Sequence, residues 1–192
     1  MKVTKEFLRE KHACAGGYKW FCENCLELGD LEAQIKHLSK YRYDWANWLL
    51  VRLMSLEQKR KYAIFAAKKV LHIFEAKYPT NTRPRKAIKA AEKVLENDTK
   101  ENRSAAAAAA EDAYIAYDAS DVDAASVYVY AAAASAADAA TAAYAAADTA
   151  TYAYAYADAA TAAADAAAAA DDSIKETIIN KGIELIKKDI KK

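Results

Sequence analysis

The chain has 192 residues, enough for one domain with a sizeable core, and its formal net charge of +1 conceals two opposed parts. Residues 104–172 carry 38 alanines and 11 acidic residues without a single Lys, Arg, Gly or Pro, while the other residues hold all 28 bases and 16 acids, so a net of −11 faces a net of +12. That balance argues against a nucleic-acid polymer as partner, because a large acidic face repels phosphates.

In chain order the pattern is helical almost throughout. Thr4 is placed to cap a first helix reaching about Ala13, with Gly16-Gly17 as its break. A second helix is expected from Tyr18 to Leu28, ended by Gly29, and a third from an Asp30 cap to about Leu38. Asp44 opens a fourth through Met54, with Trp45 and Trp48 one turn apart. Ser55-Leu56-Glu57-Gln58 reads as a capping box for a helix to Tyr78, in which Ile64, Ala67, Leu71, Phe74 and Tyr78 form a buried stripe. Pro79 stops it, and Pro84 stands at the first position of a helix through Leu95.

The alanine tract, Ser104 to Asp172, has the best intrinsic helix former and nothing to punctuate it. As one rod its 69 residues would run about 100 Å, too long for a compact chain of this size. Clusters of short polar side chains at 118–123 and 148–151 are the expected breaks, giving about three helices. Tyr114, Tyr117 and Tyr128 fall on one side of a helix and Tyr144, Tyr152 and Tyr154 elsewhere, as expected of several helices with different neighbours. Ser126-Val127-Tyr128-Val129-Tyr130, although β-branched and aromatic, is read as helix or a helix junction. Alanine faces let axes approach closely, with Tyr and Val as wedges. Ser173-Ile174-Lys175-Glu176 reads as a capping box for a last helix, with Ile179, Ile183, Ile186 and Ile190 on one side and Gly182 as a local weak point. The expected fold is an all-α multi-helix bundle in one domain, residues 1–192: mixed-composition helices over 1–100, then over 101–192 a tightly packed Ala-rich acidic half and the closing helix. The acidic tract is expected to dock inward on the basic part, the alternative being a face turned to a basic partner.

Few residues signal chemistry. Cys22 and Cys25 have metal or redox spacing, with His12, Cys14 and His37 near, but no second CxxC and no βαβ context accompany them, so packing is the reading preferred and no metal or cofactor is expected. No nucleophile elbow, Walker loop or HExxH occurs, and no catalytic residue is named. The tract's threonines keep no 11-residue period, which argues against an ice-binding helix. Two groups stand out as candidate ligand- or partner-binding residues: Trp45 and Trp48, for which core packing is the simpler account, and Arg83, Arg85 and Lys86. Those three cations open a helix, where the macrodipole disfavours them, so an acidic neighbour such as the alanine tract, the reading preferred, or an anionic ligand should offset them.

Ala13-Cys14-Ala15-Gly16-Gly17-Tyr18-Lys19-Trp20-Phe21, then Asp44-Trp45 and Trp48-Leu49-Leu50, then Arg83-Pro84-Arg85-Lys86-Ala87-Ile88, then an alanine tract dotted with Tyr and Asp, occur in that order. This set resembles the "immunity protein five"-like group of bacterial and phage proteins, over nearly the whole chain. Cys22, Cys25 and the lysine-rich first half lie outside that pattern. The resemblance implies an all-helical, non-enzymatic immunity or anti-defence protein that neutralises a toxin or defence effector by direct protein binding. Two alternatives are a sponge for an anionic nucleotide signal, with Arg83, Arg85 and Lys86 holding phosphate and aromatic rings stacking the base, and a structural scaffold or homo-oligomer paired through alanine faces. The N-terminus has no apolar h-region and no run nears ~20 strongly apolar residues, so neither secretion nor a membrane span is expected. The odd cysteine count suits a reducing compartment, and the cytoplasm of a bacterium or phage-infected cell is the expected location.

Overall fold

A computed structural model describes residues 2–118, 129, 131–137, 160–169 and 171–190. Over these residues the protein is an all-α multi-helix bundle. The first helix, α1 (Lys5–Glu10), begins where the Thr4 hydroxyl accepts from the Phe7 N–H at 3.2 Å. It ends sooner than the expected Ala13, because His12 turns into the left-handed region (φ 56°). The Ala13 N–H then reaches back to the Leu8 carbonyl and the His12 N–H to that of Arg9, closing the last turn.

The expected break at Gly16-Gly17 is corrected. Both glycines lie in the first turn of α2 (Ala15–Asn24), whose cap is the Cys14 thiol, accepting from the Gly17 N–H at 3.3 Å. A Cβ on Gly17 would stand 3.2 Å from Cys14 Sγ and 3.7 Å from the Trp45 indole, and one on Gly16 3.9 Å from the same ring. These glycines make room for an indole. α2 also stops at Asn24 rather than Leu28. Asp30 caps α3 (Leu31–Tyr41) as expected, accepting from the Ala33 N–H at 2.9 Å, and the helix continues a turn past Leu38. Gln34 on α3 is fully buried; it accepts from the Val3 N–H and donates to the Val3 and Cys25 carbonyls, tying the N-terminal arm to the bundle.

Arg42 alone separates α3 from α4 (Tyr43–Leu53). Ser55 and Gln58 form the predicted capping box of α5 (Leu56–Lys77), where Ile64, Ala67 and Phe74 are buried and Leu71 and Tyr78 half-buried. α6 (Arg83–Glu96) carries Pro84 in its first turn, and α7 (Lys100–Asp118) starts before the alanine tract, with Thr99 accepting from the Asn102 N–H. The capping box predicted at Ser173 is replaced by Asp171, which accepts from both the backbone and hydroxyl of Ser173 around a short 3-10 turn, Asp172–Ile174. The last helix is α8 (Lys175–Ile190).

α5, α6 and α7 pack in succession, α3 pairs with α4, and α8 lies across α3, α4 and α5. The alanine-rich half is tightly packed: Ala132 to Ala134, Ala136, Ala137, Ala160, Ala163, Ala164 and Ala167 are wholly buried, as is Val129. Helical residues 160–169 close against α4, where the Tyr43 hydroxyl donates to the Ala164 carbonyl. The breaks expected at 118–123 and 148–151, the junction at 126–130 and the tyrosine pattern lie wholly or largely outside the described residues. Among the described residues there is no strand, and no helix is long and apolar enough to cross a membrane.

Candidate functional site

The site begins with the two faces of α4. Ala46, Asn47, Leu50 and Val51 are buried in the bundle, while Asp44, Trp45 and Trp48 turn toward α1 and α2. Between these elements and residues 160–169 lies a cavity of about 320 Å³. Leu8, Phe21, Leu38 and Leu49 give it apolar walls, and the half-buried Trp45 and Trp48 supply two indoles. His12, Cys14 and Asp44 line it from the N-terminal side, Thr161 and Asp165 from the alanine-rich half.

Each indole already carries a cation. The Arg42 guanidinium lies 3.6 Å from the Trp45 ring centre and forks onto the Asp44 carboxylate at 3.0 and 3.3 Å. Arg52, one turn after Trp48, lies 4.7 Å from that ring and reaches the Thr161 hydroxyl at 3.4 Å. Trp is the strongest of the aromatic rings in this contact.

Asp165 is held differently from Asp44. Its hydrogen-bond partner is the Asn47 side-chain amide, at 2.7 Å, and among the described residues it forms no ion pair. Burial, reinforced by the Asp44 charge, pushes its carboxyl up to about 6 against the opposing Asn47 bond. Asn47, fully buried, also donates to the Thr161 carbonyl at 3.1 Å and accepts from the Tyr62 hydroxyl at 2.9 Å. One amide thus joins α4, α5 and the alanine-rich half.

Outside the cavity the Trp45 ring continues into an aromatic face. Trp20 meets Trp45 edge-on at 6.3 Å, His37 at 6.1 Å and Tyr41 at 5.8 Å, and His37 lies 5.2 Å from Tyr41. Tyr41 is 65% exposed, unusual for a residue of its size.

The remaining candidates fall elsewhere. Arg83 pairs with Asp112 of the alanine tract at 3.4 Å, and Arg85 holds both carboxylate oxygens of Glu75 on α5. These acids offset two of the three cations that crowd the start of α6. Lys86 is exposed, and no ion pair joins it to another described residue. The structure therefore gathers Trp45 and Trp48 in one cavity and leaves Arg83, Arg85 and Lys86 in the α5–α6–α7 layer. The three cysteines have different settings: Cys14 caps α2, Cys22 is half-buried, and burial pushes the Cys25 thiol up to about 11.

Asn47 and Asp165 were not singled out by the sequence. Asn47 had a signal, since it interrupts a buried run of Ala46, Leu49, Leu50 and Val51, where an amide needs partners. Asp165 had none, being one acid among 11 in a tract of low complexity.

Residues 1–56, from the N-terminal arm to the start of α5, match the family model of the YdhT N-terminal domain. No curated protein and no solved structure matches the chain.

Proposed function

We propose that this is a non-enzymatic binding protein of the immunity or anti-defence kind, which neutralises a toxin or defence effector by direct protein contact. The observation that carries this reading is the run of aromatic rings Trp20, His37, Tyr41 and Trp45, half-buried to exposed, ending in an indole-walled cavity. Trp, Tyr and Arg dominate the energetic centres of protein interfaces, and a ring that is ordered by its neighbours loses little entropy on docking. The resemblance to "immunity protein five"-like proteins supports the same class.

The aromatic face, rather than the acidic tract, is the docking surface in this proposal. Asp112 and Asp172 are already paired, with Arg83 and Lys175, and Asp165 turns into the cavity. Co-expression with a candidate toxin or effector tests the idea. Protection by the native chain, lost in the Trp20→Ala/Tyr41→Ala variant at unchanged helicity, is the expected result. Equal protection by the variant overturns the aromatic face. Association whose rate falls steeply with salt would return the acidic tract to the lead.

The nucleotide-sponge alternative finds its most suitable surface away from Arg83 and Arg85. A groove of about 680 Å³ between α5, α6 and α8 holds Lys61, Lys68, Lys69, Lys181 and Lys188 around Phe65. Four of those lysines already share Glu57, Glu92 or Glu184, which leaves little charge for a phosphate. Calorimetry with a cyclic dinucleotide in about 150 mM salt, where the Debye length is about 8 Å, separates the two readings, and the protein-binding proposal expects no heat of binding.

A further inference from the structure

We propose that the cavity between α1, α2, α4 and residues 160–169 binds an alkylguanidinium or alkylammonium group, its charge at the Asp165 carboxylate and its aliphatic arm against the Trp45 and Trp48 indoles. The inference deepens the binding reading above and rests on it only where the cation belongs to a protein partner.

Three observations select this chemistry. The first is the charge at Asp165: among the described residues its hydrogen-bond donor is a neutral amide, and the neighbouring Asp44 is already held by Arg42. A carboxylate among mostly apolar walls gains most from a ligand that brings its own cation. The second is the walls. Trp45 and Trp48 each accept a guanidinium from their own helix or its first flank, so rings of this orientation already stabilise such ions in this molecule. The third is size: about 320 Å³ is at the small end of ligand cavities, which suits one side chain or a short amine and is too small for a dinucleotide. An anion would meet two carboxylates, and a neutral apolar ligand would leave Asp165 without a countercharge.

The groups facing Asp165 come from every element packed there. Asp44 adds like charge, His12 and Cys14 line the N-terminal side, Tyr43 and Tyr62 stand behind Asn47, and Arg42 and Arg52 are engaged on their indoles. Because Asp165 loses its proton near pH 6, cation binding strengthens as pH rises through that value.

The test uses the full chain and n-butylguanidinium, with n-butylurea as the neutral probe of like shape and capped arginine as the side-chain probe. Binding is followed by the indole N–H resonances of Trp45 and Trp48. Butylguanidinium should shift both saturably, and butylurea should bind about ten-fold more weakly or worse. Asp165→Asn keeps the shape and the Asn47 contact; it should weaken the cation by about ten-fold and bring the two probes level. In the native chain the cation's affinity should fall between pH 7.5 and 5, a readout that stands even if the variant folds poorly. Capped arginine binding as well as butylguanidinium assigns the site to a partner's side chain; its exclusion assigns it to a free amine. Equal binding of urea and guanidinium, or an unchanged affinity in Asp165→Asn, overturns the inference. Cation binding by a chain that protects against no effector would leave the cavity standing and remove the immunity reading.

Discussion

Asp165 sets a cost that the fold carries at neutral pH. Its carboxyl, raised to about 6 from an ordinary 3.8, binds a proton more tightly folded than unfolded. Below the unfolded value both states are protonated and nothing is lost. Between about pH 4 and pH 6 the folded chain holds more protons, so stability falls as pH rises, and the whole cost is present above the folded value. Two units correspond to roughly 2–3 kcal/mol, and partial contact with solvent lowers this to the order of 2 kcal/mol. Asp165→Asn should therefore be more stable than the native chain at pH 8 by about that amount and equal to it near pH 3.5. Urea unfolding at the two pH values checks this, and a pH-independent difference would mean that packing, not ionisation, governs the residue. The same residue marks the limit of sequence reading. Trp45 and Trp48 announce themselves by size and spacing, but a single Asp in an alanine tract gains meaning only when folding sets Asn47 beside it. Arg83 and Arg85 divide: an acidic partner from the alanine tract was legible and Arg83 finds it in Asp112, whereas Glu75 on α5 as the partner of Arg85 was not.

At the scale of the element, helix boundaries were readable where a side chain makes them and unreadable where tertiary packing does. Thr4, Asp30 and the Ser55–Gln58 box cap the helices expected of them, since those bonds are local. Gly16-Gly17 looked like a helix break because propensity counts only the helix's own backbone. Its use is a close approach by Trp45 from 28 residues on. Gly182 makes the same point in α8, where low propensity suggested a weak place. A Cβ there would come within 2.9 Å of Leu50 Cδ1 and 3.1 Å of the Tyr62 ring. Neither neighbour can give way easily, since Leu50 is fully buried and Tyr62 is fixed by its bond to Asn47. Gly182→Ala gains about 1 kcal/mol of helix propensity and loses about 1–3 kcal/mol to overpacking, so a net loss of up to about 2 kcal/mol is expected. Thermal unfolding measures it directly, and a variant melting at or above the native temperature would show that Leu50 finds another rotamer at little cost.

For the whole molecule, the match of residues 1–56 to a family model raises the question of whether that segment is a folding unit. Part of its interior is self-contained: Gln34 satisfies Val3 and Cys25, and α3 packs on α4. Its last helix is not. Asn47 finds its partners on Tyr62, Thr161 and Asp165, Leu50 lies against Gly182, and Tyr43 reaches Ala164. Cut after residue 56, α4 would present Ala46, Asn47, Leu50 and Val51 to water, and the cavity would lose the wall that carries Asp165. A chain of that length buries only about 60% of its surface even when complete, which leaves no margin for an open core face. The fragment 1–56 should therefore show partial helicity, a broad thermal transition and poorly dispersed indole N–H resonances, whereas the full chain unfolds cooperatively. Adding residues 57–78 should not rescue it, because Tyr62 answers one of the Asn47 bonds and the alanine-rich half answers the others. A sharp transition in the fragment would mean that the N-terminal helices repack without α5 and α8, and that the opposed charges of the two halves join two separately stable parts. If instead the fragment melts broadly, the alanine tract is the piece that completes the core and the cavity together, so its net of −11 is as much a matter of folding as of surface.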